Sequence, residues 1–145
     1  MRAFRFSLET VMRIRLLEER LARERLLTAS RDLRRARDAA DAVDASLRQL
    51  TQATAPTSIG HLQWVAAQAD RLAEQRRVVR RVLAHARDAR EVASHAYVAA
   101  RRRADVLERL RAENLARWRD DWRREESTEL DDLATIRHGT GAVIS

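Results

Sequence analysis

The chain has 145 residues, of which 35% are charged, 45% hydrophobic and only 4% aromatic, with three glycines, one proline and no cysteine. The absence of cysteine excludes a disulfide framework, thiolate chemistry and a cysteine–zinc site. Long Ala-, Glu-, Leu- and Arg-rich stretches with few turn residues point to a coiled coil and away from a globular core.

The net charge is +7, and all 29 basic residues are arginine. Arginine without lysine, beside an excess of alanine, is what a GC-rich coding bias produces. Residues selected for phosphate contact include lysine as well, so the charge alone says little for a nucleic-acid ligand. The opening MRAFRFSLETVMRIR carries a charge every few residues, and no secretory signal peptide is expected. No stretch approaches the ~20 apolar residues that a membrane span needs. The expected location is the cytoplasm.

The predicted fold is all-α: an elongated antiparallel two-helix coiled coil, one helical hairpin over residues 1–145 with the second helix longer than the first. Helix 1 is expected over about 7–53, with Ser7 as N-cap accepting a first-turn N–H. Phe6 and Val11 are placed for a hydrophobic staple. Val11, Met12, Ile14, Leu16, Leu17 and Leu21 cover more than one stripe, so this part of the helix must meet more than one neighbour. From Leu26 the heptad is regular: Leu26, Ala29, Leu33, Ala36, Ala40, Val43, Leu47, Leu50. Spacings alternating three and four mark the seam of a left-handed coiled coil.

TQATAPTSIG, residues 51–60, holds the one proline, Pro56, and reads as the turn, at about 54–58. Helix 2 is expected over about 59–137, starting at Ser58 or Ile59. Its seam runs Leu62, Val65, Ala69, Leu72, Val79, Leu83, Ala86, Ala93, Tyr97, Ala100, Ala104 and Leu107, interrupted by Arg76 and Arg90. Past Leu107 the frame slips to a line of Leu110, Leu115, Trp118 and Trp122. A break is expected near 127–128, with Thr128 as a new N-cap, then Gly139 as terminator and a disordered tail over 139–145. A turn centred near Pro56 sets Ser7 opposite about Val106. The chain beyond Leu107 then lacks a partner, and some 30 residues at ~1.5 Å each would project about 45 Å.

No catalytic, cofactor-binding or metal site is expected. His61, His85, His95 and His138 are scattered without i,i+4 pairing, no glycine-rich phosphate loop exists, and the carboxylates sit among arginines at helical spacing. Residues Arg71 to Arg103 hold ten arginines against Glu74, Asp88 and Glu91. Arg76, Arg77, Arg80, Arg81, Arg101, Arg102 and Arg103 form either a basic stripe for an acidic or phosphate-bearing partner or a solvated face. In the second case Asp32, Asp38, Asp41 and Asp44 neutralise part of it. Trp118 and Trp122 stand one turn apart on one face. They either pack against helix 1 or a second copy, or form a docking stripe; Asp120 and Asp121 interrupt the face and argue against a membrane-seated one.

Both ends of the chain resemble the flagellar export protein FliJ family. At the start the likeness lies in Phe4 and Phe6 flanking Arg5, then Leu8-Glu9, Arg13 and Glu18-Glu19. Later, Leu107-Glu108-Arg109-Leu110 with Glu113 resembles the family's LE-basic-L element, with Trp118 as the following aromatic. Glu125-Glu126 before Leu130-Asp131-Asp132-Leu133-Ala134 resembles its acidic ending, with Asp132 in place of the usual glutamate. The resemblance implies a non-enzymatic protein similar to the central stalk of rotary ATPases, lying at the cytoplasmic face of the inner membrane. Its implied partners are the hexameric flagellar export ATPase, an export-gate membrane protein and export chaperones, with neither nucleic acid nor a small-molecule substrate. The ring-docking end would comprise Phe4, Phe6, Leu8, Val11, Ile14, Leu107, Leu110, Leu115, Trp118 and Trp122. The gate contact near the turn carries over to Leu62, Trp64, Val65, Gln68 and Leu72. From the residues alone, an arginine-rich hairpin binding nucleic acid and a homodimeric coiled-coil spacer remain as alternatives.

Overall fold

The structure, a computed structural model, describes residues 3–52, 55 and 57–141. Two helices account for it, α1 (Glu9–Gln52) and α2 (Ile59–Gly141), and they pack against each other as a hairpin. Contacts divide the chain into two compact units, Met1–Leu17 with Arg101–Ser145, and Glu18–Ala100.

In the unit Glu18–Ala100, Leu33, Ala36 and Ala86 form a buried cluster with Leu83 packed against it. Ala22, Ala40 and Ala100 are buried along the same line. Leu26, Ala29, Val43, Leu47 and Leu50 of α1, and Val65, Ala69, Leu72, Val79, Ala93 and Tyr97 of α2, are half-buried. One predicted seam residue in this unit departs: Leu62 is 52% exposed. Ser58 caps α2, its Oγ accepting from the His61 N–H at 3.1 Å and its carbonyl from the Leu62 N–H at 3.1 Å. The Pro56 hinge lies outside the described residues.

Polar contacts across this unit set the register. Arg76 Nε lies 3.1 Å from Asp44 Oδ1, close enough for an ion pair but not aligned for a hydrogen bond. Arg23 places its guanidinium 5.9 Å from the Tyr97 ring centroid and donates to the buried Glu19 carboxylate at 2.6 Å. A hydrogen bond with Tyr97, and then the charge of Glu19, raise the Arg23 pKa above its ordinary value. A base so raised contributes stability that is lost only as pH rises through its folded value, so this contact does not titrate in the physiological range. The observed pairing is one heptad from the expected one, in which Asp44 would face Ala69. Arg90, the other predicted interruption, is exposed.

In the unit Met1–Leu17 with Arg101–Ser145, Glu9 Oε2 lies 3.3 Å from Arg111 Nε. That contact again departs by one heptad from the expected register, which puts Ser7 opposite about Val106. Helix α1 starts later than expected: the Met12 N–H donates to the Leu8 carbonyl at 2.8 Å, and the Glu9 N–H to Phe6 at 3.1 Å. Leu8, not Ser7, therefore holds the N-cap position. Met12 and Phe6 are buried, while Val11, the expected staple partner, is 40% exposed.

The chain past Leu107 is also packed further than expected. Ala104 is 0% exposed, and Leu107, Leu110, Arg111, Asn114, Leu115, Trp118 and Trp122 are half-buried. The original line continues through Arg111, Asn114 and Trp118, and the line of Leu110, Leu115 and Trp122 adds to it. Residues ahead of α1, with Phe6 buried and Phe4 half-buried, widen the face that α2 meets. No break occurs at 127–128. The Thr128 hydroxyl donates to the Arg124 carbonyl at 2.9 Å, a bond back into its own helix and not a cap. Gly139 does not end the helix either, since no described glycine takes a positive φ, and α2 runs to Gly141. The rest of the expected tail, 142–145, lies outside the described residues. Residues 123–139 are exposed throughout.

Two substitutions test this packing by urea unfolding followed by far-UV circular dichroism. Leu33→Ala, which empties the cluster with Ala36 and Ala86, is expected to cost about 2–3 kcal/mol. Ala104→Leu overfills a position with no spare room and is expected to cost about 1–3 kcal/mol.

Candidate functional site

The terminal unit holds the predicted docking residues. Phe4 and Trp118 meet with ring centroids 6.0 Å apart at 57°, within the tilted geometry that aromatic pairs favour. The Arg111 guanidinium lies 5.9 Å from the Phe4 centroid, and the same side chain reaches Glu9. Glu9 Oε1 is 3.7 Å from Arg13 Nε, so one carboxylate serves two arginines. An open concavity of about 820 Å³ beside this cluster is lined by Ala3, Phe4, Arg5, Asn114, Arg117, Trp118 and Asp121. Its lining offers an aromatic floor with charges of both signs, and holds no histidine, hydroxyl or thiol.

The ten predicted docking residues separate into two groups. Phe6 is buried; Phe4, Leu8, Leu107, Leu110, Leu115, Trp118 and Trp122 are half-buried and belong to the unit's own packing. Val11 and Ile14 face outward, at 40% and 51% exposure. Sequence reasoning missed the larger apolar exposure in this unit. Leu17 is 53% exposed, and Leu130, Leu133 and Ile136 are 61–62% exposed. The signal was present, since Leu130, Leu133, Ala134 and Arg137 follow helical spacing and line a shallow groove with Ile136. Glu125, Glu126, Glu129, Asp131 and Asp132 surround that apolar line, so this part of α2 is acidic in an otherwise basic chain.

Near the start of α2, Ile59, Leu62 and Trp64 are 77%, 52% and 55% exposed, while Val65, Gln68 and Leu72 are half-buried. The His61 and Trp64 rings stack with centroids 6.0 Å apart. The basic stripe does not form one free surface. Arg76 pairs with Asp44, Arg77 with Glu74 at 3.1 Å, and Arg101 with Asp105 at 3.0 Å and Glu108 at 4.0 Å. Arg80, Arg81, Arg102 and Arg103 are exposed. Of the four acids expected to neutralise the stripe, Asp44 is the one seen on it; Asp32 instead lies 4.0 Å from Arg35 in its own helix. Among the described residues no group of three His, Cys, Asp or Glu could hold a metal ion, and no helix is long and apolar enough to cross a membrane.

A protein-family model described as "FliJ: Flagellar FliJ protein" matches residues 4–142. The matched range takes in the Phe4–Trp118 cluster, the start of α2 and the acidic exposed segment. No curated protein and no solved structure matches the chain.

The Phe4–Trp118 contact has a spectroscopic consequence. Phe4→Ala is expected to shift tryptophan emission to the red by uncovering the Trp118 ring, with helix content retained; unchanged emission would show that the ring is shielded by other groups.

Proposed function

The chain belongs to the flagellar FliJ family, a component of the flagellar export apparatus, and we propose that it acts there as a non-enzymatic stalk and adaptor in the cytoplasm. Its terminal unit docks in the ring of the hexameric export ATPase. The observation that carries this reading is the apolar surface left open in that unit, with Val11 and Ile14 on α1 and Leu130, Leu133 and Ile136 on α2. Such side chains on a charged helix mark a surface completed by another protein. The buried Phe6 and the half-buried Phe4, Leu8, Leu107, Leu110, Leu115, Trp118 and Trp122 act by holding that end in shape.

The exposed residues Leu62 and Trp64, with Val65, Gln68 and Leu72 behind them, form the contact with the export gate. Export chaperones are further partners, and the protein works peripherally at the inner membrane. Ion pairing of Arg76, Arg77 and Arg101 with acids of the chain itself favours this reading over a phosphate-binding stripe, because a neutralised arginine releases no counterions on binding.

The test is purified export ATPase assayed with and without the chain for hexamer formation and ATP turnover. A change in both is expected. Ile14→Asp and Leu133→Asp, each exposed and so tolerated by the fold, are expected to weaken the effect about tenfold or more. No change in hexamer formation or turnover with the unaltered chain would overturn the docking role.

A further inference from the structure

Helix α2 carries a second apolar line within the unit Glu18–Ala100. Val78, Val82, Ala89, Val92 and Ala96 keep the alternating three- and four-residue spacing of a heptad, with His85 completing it. This line is rotated by about 100° from the seam that faces α1. Val78, Val82 and Val92 are 46%, 53% and 70% exposed, and Ala89 and Ala96 are exposed as well. A helix with two adjacent apolar lines is built to meet two neighbouring helices, and α1 supplies only one.

The charges beside the line indicate the second neighbour. Glu74, Arg81, Asp88 and His95 recur every seven residues along its outer rim. Their order is acid, arginine, acid, histidine, so reversal sets each acid against an arginine or an imidazole that can donate a hydrogen bond to it. A second α2 laid antiparallel sets Glu74 opposite the second copy's His95 and Arg81 opposite its Asp88, with the same two contacts repeated by symmetry. Parallel in-register pairing places these residues on opposite sides of the interface and gives them no such partners. The antiparallel register also puts Val78 over Ala89, large against small. In the single chain Glu74 meets Arg77 at 3.1 Å and His95 lies 3.7 Å from Glu91, both exposed. Exposed pairs of this kind contribute little, so exchanging them for contacts with a second copy costs little.

We propose that two copies of this chain pair through this face, α2 against α2, about a two-fold axis passing between Arg81 and Asp88. The contact is isologous, the same patch meeting itself. It uses none of the residues assigned to ring or gate docking and stands independently of that assignment.

The test is sedimentation velocity on the full chain over a concentration series at low salt, with circular dichroism to verify helicity. A reversible dimer is expected. Arg81→Asp and Asp88→Arg are each expected to weaken it about tenfold, since each replaces two attractive rungs with repulsive ones. The double variant R81D/D88R restores the pattern and the dimer, and an equimolar mixture of the two single variants forms a heterodimer tighter than either homodimer. An unaltered chain that stays monomeric over the series overturns the proposal. So does a dimer that is indifferent to both single substitutions.

Discussion

Everything else in this molecule depends on which residue of α1 faces which residue of α2. An apolar seam of alanine, valine and leucine does not decide that by itself, because a slip of one heptad brings every apolar layer onto another apolar layer. The polar contacts decide it. In the observed pairing Asp44 meets Arg76, Arg23 meets Tyr97, and Glu9 meets Arg111. A slip of one heptad in one direction would bring Arg76 against Arg37 and Arg23 against Arg90, and would press Glu9 onto the fully covered Ala104. A slip the other way would set Asp44 against Leu83 and Arg23 against Ala104. Each such mismatch costs on the order of 1 kcal/mol or more, by like-charge repulsion or an unpaired polar group. A few polar residues thus choose among registers that the apolar residues leave nearly equal.

The register in turn decides what stays uncovered. In the unit Glu18–Ala100, the first turns of α2 have no residue of α1 beside them, which leaves Ile59, Leu62 and Trp64 exposed. In the terminal unit, α2 is packed as far as Trp118 and Trp122, and residues 123–139 are exposed. A chain optimised for its own stability would not leave Leu130, Leu133 and Ile136 open to water, since burying each contributes roughly 1.5–3 kcal/mol. Their exposure makes sense in a protein completed by partners, as membership of a flagellar export family implies.

Much of this was legible in the residues. The seam from Leu26 to Leu50 and from Val65 to Leu107 follows from three-four spacing, because burial in a coiled coil obeys that period and little else. The register was not legible from the turn. A symmetric hairpin about Pro56 places Ser7 opposite Val106, whereas the observed contacts of Asp44 with Arg76 and of Glu9 with Arg111 lie one heptad from that register. The matching of Asp44 to Arg76 was the available clue, and it emerges only when charges are compared across helices. Ser7 had the right chemistry for a cap, yet the helix begins one residue later, and Met12, not Val11, lies in the interior. In the terminal unit Phe4 packs on Trp118, and Trp118 and Trp122 are both half-buried. The open apolar residues are aliphatic and sit among acids, where a search for hydrophobic runs passes over them.

The register is tested most directly by cross-linking, which a chain without cysteine allows cleanly. Two double-cysteine variants share Leu83→Cys, one with Ala36→Cys and the other with Ala29→Cys, one heptad away. A disulfide needs Cα atoms within roughly 4.4–6.8 Å. On mild oxidation at low protein concentration, Ala36→Cys with Leu83→Cys should close an intramolecular disulfide rapidly, and Ala29→Cys with Leu83→Cys should remain reduced. Ready closure of the second pair and not the first would contradict the register, and with it the assignment of which residues the hairpin leaves for its partners.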